Sequence, residues 1–494
     1  MPGPEPSPDQ GVHFEAQARR NQSEESSLGA TPRGTPPEIV SREILKAHPR
    51  DKMTPFSNYT EKPLLKAGGL IFLSLLLSSA IISRPQFLLP AAGAFGLMFL
   101  FVVKFETVFP ALLILRSALD SFTEFGVEVG PMNFNLAAGL SIFLDLCGLA
   151  YLSGFVLRKR SLVTNRVVKA FGWWLISLLF WLWLSYHNFD FEGLGAAREW
   201  LRLFSILMIY VLSLELAAIR GYKYLVTCVI LSQAIPISIA FYQLIVSGTG
   251  IRLQATFAHP NSFALYLILC IGLTFWKLKF SPKKAYWSLL LLLELFFLWN
   301  TFSIGGAISF AVFGTVLIIK ETWKKTKYII VLVMMFLLVL SGLVMSDLGK
   351  KRFREIEYTP SMREMLREEA VTNSLSWRIV NWKKLFQEWS QRPLLGYGLD
   401  TCGKMVSPWK NEAHNDYLRY LIELGIIGLT GYLLFIRIVG FRIWNTYKKD
   451  NGEKAYFDLV VFAIFLAWTI GAVWDNHITA TAFQFYFWAI LAAA

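Results

Sequence analysis

From about residue 60 onward the chain alternates long apolar runs with short polar stretches. A run of about 20 apolar residues crosses a bilayer as a helix, and shorter runs serve as short or re-entrant segments. The pattern predicts spans at 65–83, 86–104, 107–119, 134–157, 169–186, 199–218, 224–246, 261–277, 285–300, 303–319, 328–346, 417–440, 455–474 and 479–494. The third is short and carries Arg116 and Asp120, so the expectation is an all-α polytopic membrane protein with 12–14 transmembrane helices.

Basic residues give the chain its orientation. Nineteen Lys and Arg fall in one set of short loops, in five clusters: Arg158 to Lys169, Arg220 with Lys223, Lys277 to Lys284, Lys320 to Lys327, and Arg442 to Lys454. The alternate short loops hold three, Arg84, Arg198 and Arg252. Cytoplasmic loops collect positive charge, so the first set is expected inside, with both termini cytoplasmic.

One connection breaks the short-loop pattern. Residues 347–416 form a long outward segment in which Leu375, Ile379, Trp382, Leu385, Phe386 and Trp389 recur at helical spacing before Pro393. This predicts an amphipathic helix at the outer membrane surface, a lid or platform, followed by the turn Gly396-Tyr397-Gly398. Residues 1–60 hold nine prolines, many Ser and Glu, and no apolar run, so a disordered cytoplasmic tail without a signal peptide is expected. The organisation is then tail 1–60, spans 61–346, periplasmic loop 347–416, and spans 417–494.

Composition agrees. Apolar and aromatic residues make up 54% and charged residues 17%, against about 25% in soluble domains. Mean hydropathy is +0.45. Four Cys without a CxxC pair exclude a disulfide scaffold. The net charge of +13 is explained by the basic loops, so nucleic acid is not an expected partner.

Candidate chemistry gathers at one face. Outside the tail, which carries His13 and His48, the histidines are His187, His259, His414 and His477, and the topology puts all four outside. His259-Pro260-Asn261 and His414-Asn415-Asp416 each open a span whose N-terminus faces outward. A helix N-terminus offers free N–H donors and partial positive charge, which suits an anion such as phosphate and favours a neutral His. Two ordinarily capped helices would carry the same residues. Arg252 shares the loop of His259, Arg198 and Arg202 share a helix face, and Arg378 lies on the surface helix. Guanidinium forks bind phosphate oxygens bidentately, although interfacial Arg can instead snorkel to lipid headgroups. Asp145, Glu215, Glu294, Glu423 and Asp458 lie inside spans and read mostly as structural partners, with Glu423 the best functional candidate. Gly425, Gly428 and Gly431 read as close helix packing.

Three motifs carry a resemblance. Arg252-Leu-Gln-Ala-Thr-Phe-Ala-His259-Pro260-Asn261, Trp377-Arg378 with Pro393-Leu-Leu-Gly-Tyr-Gly398, and His414-Asn-Asp-Tyr-Leu418 running into Glu423-Leu-Gly-Ile-Ile-Gly428 resemble, in order, motifs of the O-antigen ligase and polymerase superfamily. The resemblance implies a GT-C-like fold in the bacterial inner membrane and a periplasmic active site. It implies transfer of a glycan from undecaprenyl diphosphate to an acceptor glycan or glycolipid hydroxyl, with inversion and without metal or other cofactor. It makes His414 the catalytic base and Arg252 and Arg378 the diphosphate ligands, with His259, Asn261, Asn415, Arg198 and Arg202 as further substrate contacts. Where the family often has Ser-Arg-Gly, this chain has Ser303-Ile304-Gly305, so Arg198 or Arg202 is expected to supply the missing charge. The expected activity is polysaccharide polymerase, with membrane lipids and a chain-length regulator as companions. The alternative within the family is an O-antigen ligase acting on lipid A core. A flippase for the same lipid is the rival of another class, but transporters place polar sites near the midplane of repeated halves; a non-catalytic scaffold is a third.

Overall fold

The computed structural model describes residues 96–101, 103–122, 126–129, 132–157, 165–188, 193–248, 251–321, 374–405 and 412–494, with isolated positions 334 and 350. The tail at 1–60, the spans at 65–83 and 328–346, most of that at 86–104, and residues 351–373 of the long loop lie outside the described residues.

The described chain is helical. In order come α1 (Phe105–Leu119), α2 (Leu136–Leu157), α3 (Arg166–Asn188), α4 (Gly193–Arg220), α5 (Tyr222–Leu231), α6 (Ala234–Ser247), α7 (Pro260–Phe280), α8 (Lys284–Asn300), α9 (Ile304–Glu321), α10 (Ser374–Trp389), α11 (Asp416–Lys449), α12 (Gly452–Gly471) and α13 (Thr481–Ala493). Among the described residues, six segments are long and apolar enough to cross a membrane: Arg166–His187, Leu194–Arg220, Tyr222–Ser247, Pro260–Phe280, Asp416–Lys449 and Gly452–Gly471. Shorter apolar helices lie at Ala137–Leu149, Ile304–Lys320 and Thr481–Ala493. The protein is an all-α polytopic membrane protein.

Among the described residues it also carries an antiparallel hairpin, β1 (Gly126–Val129) with β2 (Met132–Asn135), paired Gly126 to Asn135 and Val129 to Met132. The span expected from residue 134 therefore starts two residues later, because Phe134 and Asn135 belong to the hairpin.

Burial separates core from lipid-facing helices. Along α7 every residue from Phe263 to Trp276 is buried, with α8, α9 and α12 packed around it. By contrast, α3 exposes Trp173, Ile176, Phe180 and Trp183, a stripe at helical spacing that suits acyl chains.

Two irregularities show how the bundle keeps its backbone satisfied. At membrane depth an unpaired N–H or C=O finds no water, so every break must be repaired by protein. The span expected at 224–246 is broken between α5 and α6, because Pro236 has no N–H to give Ser232 O. The Ser117 hydroxyl on α1 donates to that carbonyl instead, at 2.6 Å, and the helical pattern resumes with Ile237 N on Gln233 O at 2.9 Å.

The second break, inside α11, is larger. Gly425 has φ +64°, so the segment is two helices meeting at a kink. A continuous helix would bond Ile426 N to Ile422 O and Ile427 N to Glu423 O. Here Ile426 N donates to Pro393 O at 2.9 Å and Ile427 N to Leu394 O at 3.3 Å. The freed carbonyls accept from Tyr397 N at 3.1 Å (Ile422 O) and Gly398 N at 2.8 Å (Glu423 O). The turn at 393–398 is thus threaded through the broken helix. Close packing describes Gly428 and Gly431, whose Cβ positions meet Trp181 and Trp174 of α3, but Gly425 is a backbone break.

The amphipathic helix is α10, ending at Trp389 ahead of Pro393. It buries Val380 and Leu385 and packs on α11, where Leu385 joins Tyr397, Cys402, Ala413, Leu418 and Ile422. It is therefore docked on the protein by one face while Phe386 stays exposed.

A side chain at Gly425 would stand 2.2 Å from Leu394 O, and one at Gly396 (φ +65°) 2.4 Å from Ile422 O. Left-handed backbone alone costs a non-glycine residue about 1–2 kcal/mol. Gly425→Ala and Gly396→Ala are each expected to lower the thermal midpoint of the detergent-solubilised protein by more than Gly314→Ala, since a Cβ at Gly314 has nothing within 4 Å. Thermal unfolding of the three variants checks this.

Candidate active site

The connectors 251–259, 301–303, 412–415 and 472–480 meet at the bundle end opposite the basic clusters. His414 has an unusual backbone, with φ +48° in the left-handed region. Its neighbours on both sides are tied down. Trp382 Nε1 of α10 donates to Ala413 O at 2.7 Å, and Asn415 N donates to the Asn476 side chain at 3.0 Å. Asn415 then caps α11, its Oδ1 accepting from Tyr417 N and Leu418 N, both at 3.0 Å. Trp377 meets the His414 ring edge-on at 5.5 Å between centroids.

A polar chain runs from this histidine into the bundle. His414 Nδ1 lies 3.2 Å from Asp475 Oδ1, and Asp475 Oδ2 accepts from Asn261 Nδ2 at 2.6 Å. Asn261 Oδ1 accepts from Arg252 Nη2 at 3.0 Å and from Ser303 Oγ at 2.7 Å. Arg252 Nε is fixed on Thr301 O at 3.2 Å. The His414 side chain is 38% exposed and that of Asp475 16%, so the imidazole is the more accessible of the two and its carboxylate partner is half-buried.

Electrostatics follows the geometry. Burial disfavours the Asp475 charge, but His414, His477 and Asn261 outweigh it and hold the carboxyl well below the usual carboxylate range. An ionised Asp475 accepts from Nδ1–H of His414 and leaves Nε2 as the proton acceptor. His259 accepts from Asn261 N through Nδ1 at 3.2 Å and so caps α7 itself. Desolvation lowers its pKa despite the opposing pull of Asp475, with Arg252, His414 and Arg378 adding to the lowering. Those four groups therefore share one locality. Arg378 Nη1 donates to Ser374 Oγ at 2.8 Å on α10.

Arg198 and Arg202 lie on α4. They line a cavity of about 490 Å³ whose wall reaches Ala258 and Ser262 on either side of the His259 cap. Arg202 pairs with Glu199. Arg419, 1% exposed, pairs with Glu423 at 3.0 Å and with Glu199, Asp400 and Glu412 at 3.5 Å each. Glu412 also accepts from Asn476 Nδ2 at 3.0 Å, joining the cavity wall to the His414 connector. Three other intramembrane carboxylates are bonded locally, Asp145 to Ser205, Glu294 to Thr274 and Asp458 to Lys454. His187 sits exposed at the end of α3, and buried His477 faces Trp468 O. Among the described residues no group of three or more His, Cys, Asp or Glu is arranged to hold a metal ion.

Sequence reasoning missed Asp475, Asn476 and Arg419. The first two sit in the polar quartet Trp474-Asp-Asn-His477 between two apolar helices. Arg419 stands four residues before Glu423, an i,i+4 pair visible along the helix.

Fold and site define a polytopic helical membrane protein with a His–carboxylate pair and guanidinium groups at one end of its bundle. Residues 287–433, from α8 into α11, match the family described as O-antigen ligase. A relative from Rickettsia conorii, named "Putative polysaccharide ligase", is 24% identical over 238 residues, which are 43% of this chain and 56% of that protein. The chain thus spans little more than half the length of the curated relative it matches. The matched segment contains the Arg378 and His414 motifs, and the chain is similar to the O-antigen ligase family over those residues.

Burial also lowers the pKa of His477, with Asp475 pulling the other way. The unfolded chain then binds a proton more readily than the folded one, so this contribution to stability is complete above about pH 6.5 and shrinks as pH falls below it. Melting temperatures of the purified protein between pH 8 and pH 5 are expected to show this decline, and His477→Gln to flatten it.

Proposed function

We propose that the protein is a polysaccharide ligase of the bacterial cytoplasmic membrane, moving a glycan from undecaprenyl diphosphate to the hydroxyl of a glycolipid acceptor on the periplasmic side. The chain Arg252–Asn261–Asp475–His414 carries the reading, because it couples a fixed guanidinium to an accessible imidazole that is set up to take a proton. Both the family description and the name of the relative say ligase, which favours this activity over the polymerase that the motifs alone suggested.

The step balances within the site. The acceptor oxygen attacks the anomeric carbon, and the bond from that carbon to the diphosphate oxygen breaks with inversion. The hydroxyl proton passes to Nε2 of His414, and the imidazolium is stabilised by Asp475. The diphosphate leaves as an anion against Arg252, Arg378 and the N-terminus of α7. General-base catalysis contributes roughly 10²–10⁴ in rate, and the alignment of two large substrates contributes more.

His414→Ala is expected to abolish transfer from purified lipid-linked donor while the protein still inserts. Asp475→Asn should cost at least about 10²-fold by leaving the wrong tautomer, within the range of general-base effects. Arg252→Lys should also lower turnover, since a point charge does not replace the fork. Full activity in the His414 variant would exclude it as base. Gel analysis of cell-surface glycan in a deletion strain separates the two activities: full-length chains stranded on the lipid carrier are expected, whereas single repeats on the surface anchor would mark a polymerase.

A further inference from the structure

We infer that Asn476 is a positioning residue for the proposed reaction: its side chain clamps the chain on both sides of His414 and so holds the imidazole on Asp475. The inference rests on the ligase reading, in which His414 takes the acceptor proton, and adds the group that sets its geometry.

His414 needs such a device. Its backbone is left-handed, with φ +48°. That conformation is costly for a residue with a side chain and persists only where the surroundings over-determine it. Helical bonding begins after it, with α11 at Asp416. The contact of His414 Nδ1 with Asp475 Oδ1, at 3.2 Å, joins two separate connectors, so a slide of one past the other breaks it.

Asn476 follows Asp475 in the second connector and is 8% exposed. Its Oδ1 accepts from Asn415 N and its Nδ2 donates to Glu412 Oε2, both at 3.0 Å. One amide thus grips the residue after His414 and the residue two before it. The backbone N of Asn476 donates to Asp475 Oδ1 at 2.9 Å, the same oxygen that faces His414 Nδ1. Both members of the pair are therefore oriented from one residue. Asn476 is itself anchored, its carbonyl accepting from Thr479 N at 3.2 Å and from Thr479 Oγ1 at 2.7 Å.

Neighbouring ties act at other points. Trp382 fixes Ala413 O from α10. Asp416 N on Ala472 O, at 2.9 Å, and Ile478 N on Asp416 Oδ2, at 2.8 Å, join the connectors at Asp416, past the turn. Asn476 reaches across His414 itself. A neutral amide suits the place because it donates and accepts at once. Release of the clamp frees the ring from Asp475, and with it the choice of which ring nitrogen carries the proton.

The test compares the purified full-length wild type with Asn476→Ala, Glu412→Ala and the double variant. Asn165→Ala is the control for lost stability, since Asn165 caps α3, its Oδ1 accepting from Val167 N at 2.9 Å. Solid-state nitrogen NMR of histidine-labelled protein in proteoliposomes at pH 8 reads the tautomer, the His414 signals being those missing from His414→Gln. Steady-state transfer reads kcat and the donor KM. Asn476→Ala is expected to lose the fixed Nδ1–H tautomer and to lower kcat about 10- to 100-fold, with KM within about twofold, the cost of a misplaced group. The Glu412 side chain is 42% exposed, so Glu412→Ala folds, and it should move both readouts the same way by less. The double variant should be no worse than Asn476→Ala alone, because both changes open one clamp. Asn165→Ala should lower the thermal midpoint and keep the tautomer. The proposal falls if Asn476→Ala keeps the wild-type tautomer, if it keeps the kcat of the control, or if the effects of the two single variants multiply in the double. The tautomer is read without turnover, so a wild type whose clamp behaves in this way but which transfers no glycan would overturn the ligase reading alone.

Discussion

The backbone of α11 at Gly425 is the constraint from which the rest of the molecule follows. A helix broken inside a bundle leaves donors and acceptors that lipid cannot serve. The turn 393–398 serves them, exchanging four hydrogen bonds with residues 422–427. That turn is also fixed to α3, where Trp181 Nε1 donates to Leu395 O at 2.9 Å and the Ser185 hydroxyl to Leu399 O. The long loop is consequently anchored at its C-terminal half, and α10 is docked beside the His414 connector by Leu385 and by the bond from Trp382 to Ala413 O. The strained backbone of His414 persists because the elements on either side are already fixed, which is the condition under which such strain survives.

Two electrostatic settings stand side by side at this end of the bundle. Around His414 stands one half-buried carboxylate, Asp475, to which the guanidinium of Arg252 is linked through Asn261. Around Arg419 four carboxylates stand about one buried guanidinium. Removing one partner from such a network leaves an uncompensated charge, so it is rigid by necessity. The two settings join where Asn476 donates to Glu412.

Much of this was legible in the chain. Apolar length alone places each expected span from 107–119 to 303–319 and from 417–440 to 479–494 on a helix, because length and hydropathy are what a bilayer selects. The spacing of Leu375, Trp382 and Leu385 gives α10 for the same reason. Local exceptions were harder to see. Pro236 is tolerated within a single span only because Ser117, far away in sequence, repairs the lost bond. Gly425 looks like any small residue in a packed helix until the partner turn is in place. Asp475 was hidden because its role comes from a contact with His414 across 61 positions, while its own neighbours show only a polar connector. Arg198 and Arg202 share a helix face as expected, and both line the cavity whose wall includes Ala258 and Ser262 on either side of His259.

The distribution of the site over the chain carries a last consequence. The segment that matches the O-antigen ligase family, 287–433, contains Ser303, Arg378, His414, Arg419 and Glu423 but not Arg252, Asn261 or Asp475. The imidazole comes from inside that segment, and the carboxylate that orients it and the guanidinium tied to that carboxylate come from outside. Asn261 is the joint, since its amide oxygen holds Arg252 and Ser303 while its nitrogen holds Asp475. A side-chain amide is suited to this place because it donates and accepts at once and carries no charge of its own. An aspartate there would repel Asp475, and a lysine would have nothing to accept with. The order of charges from Arg252 to His414 is therefore set by one neutral residue at the first turn of α7, a helix that lies outside the matched segment altogether.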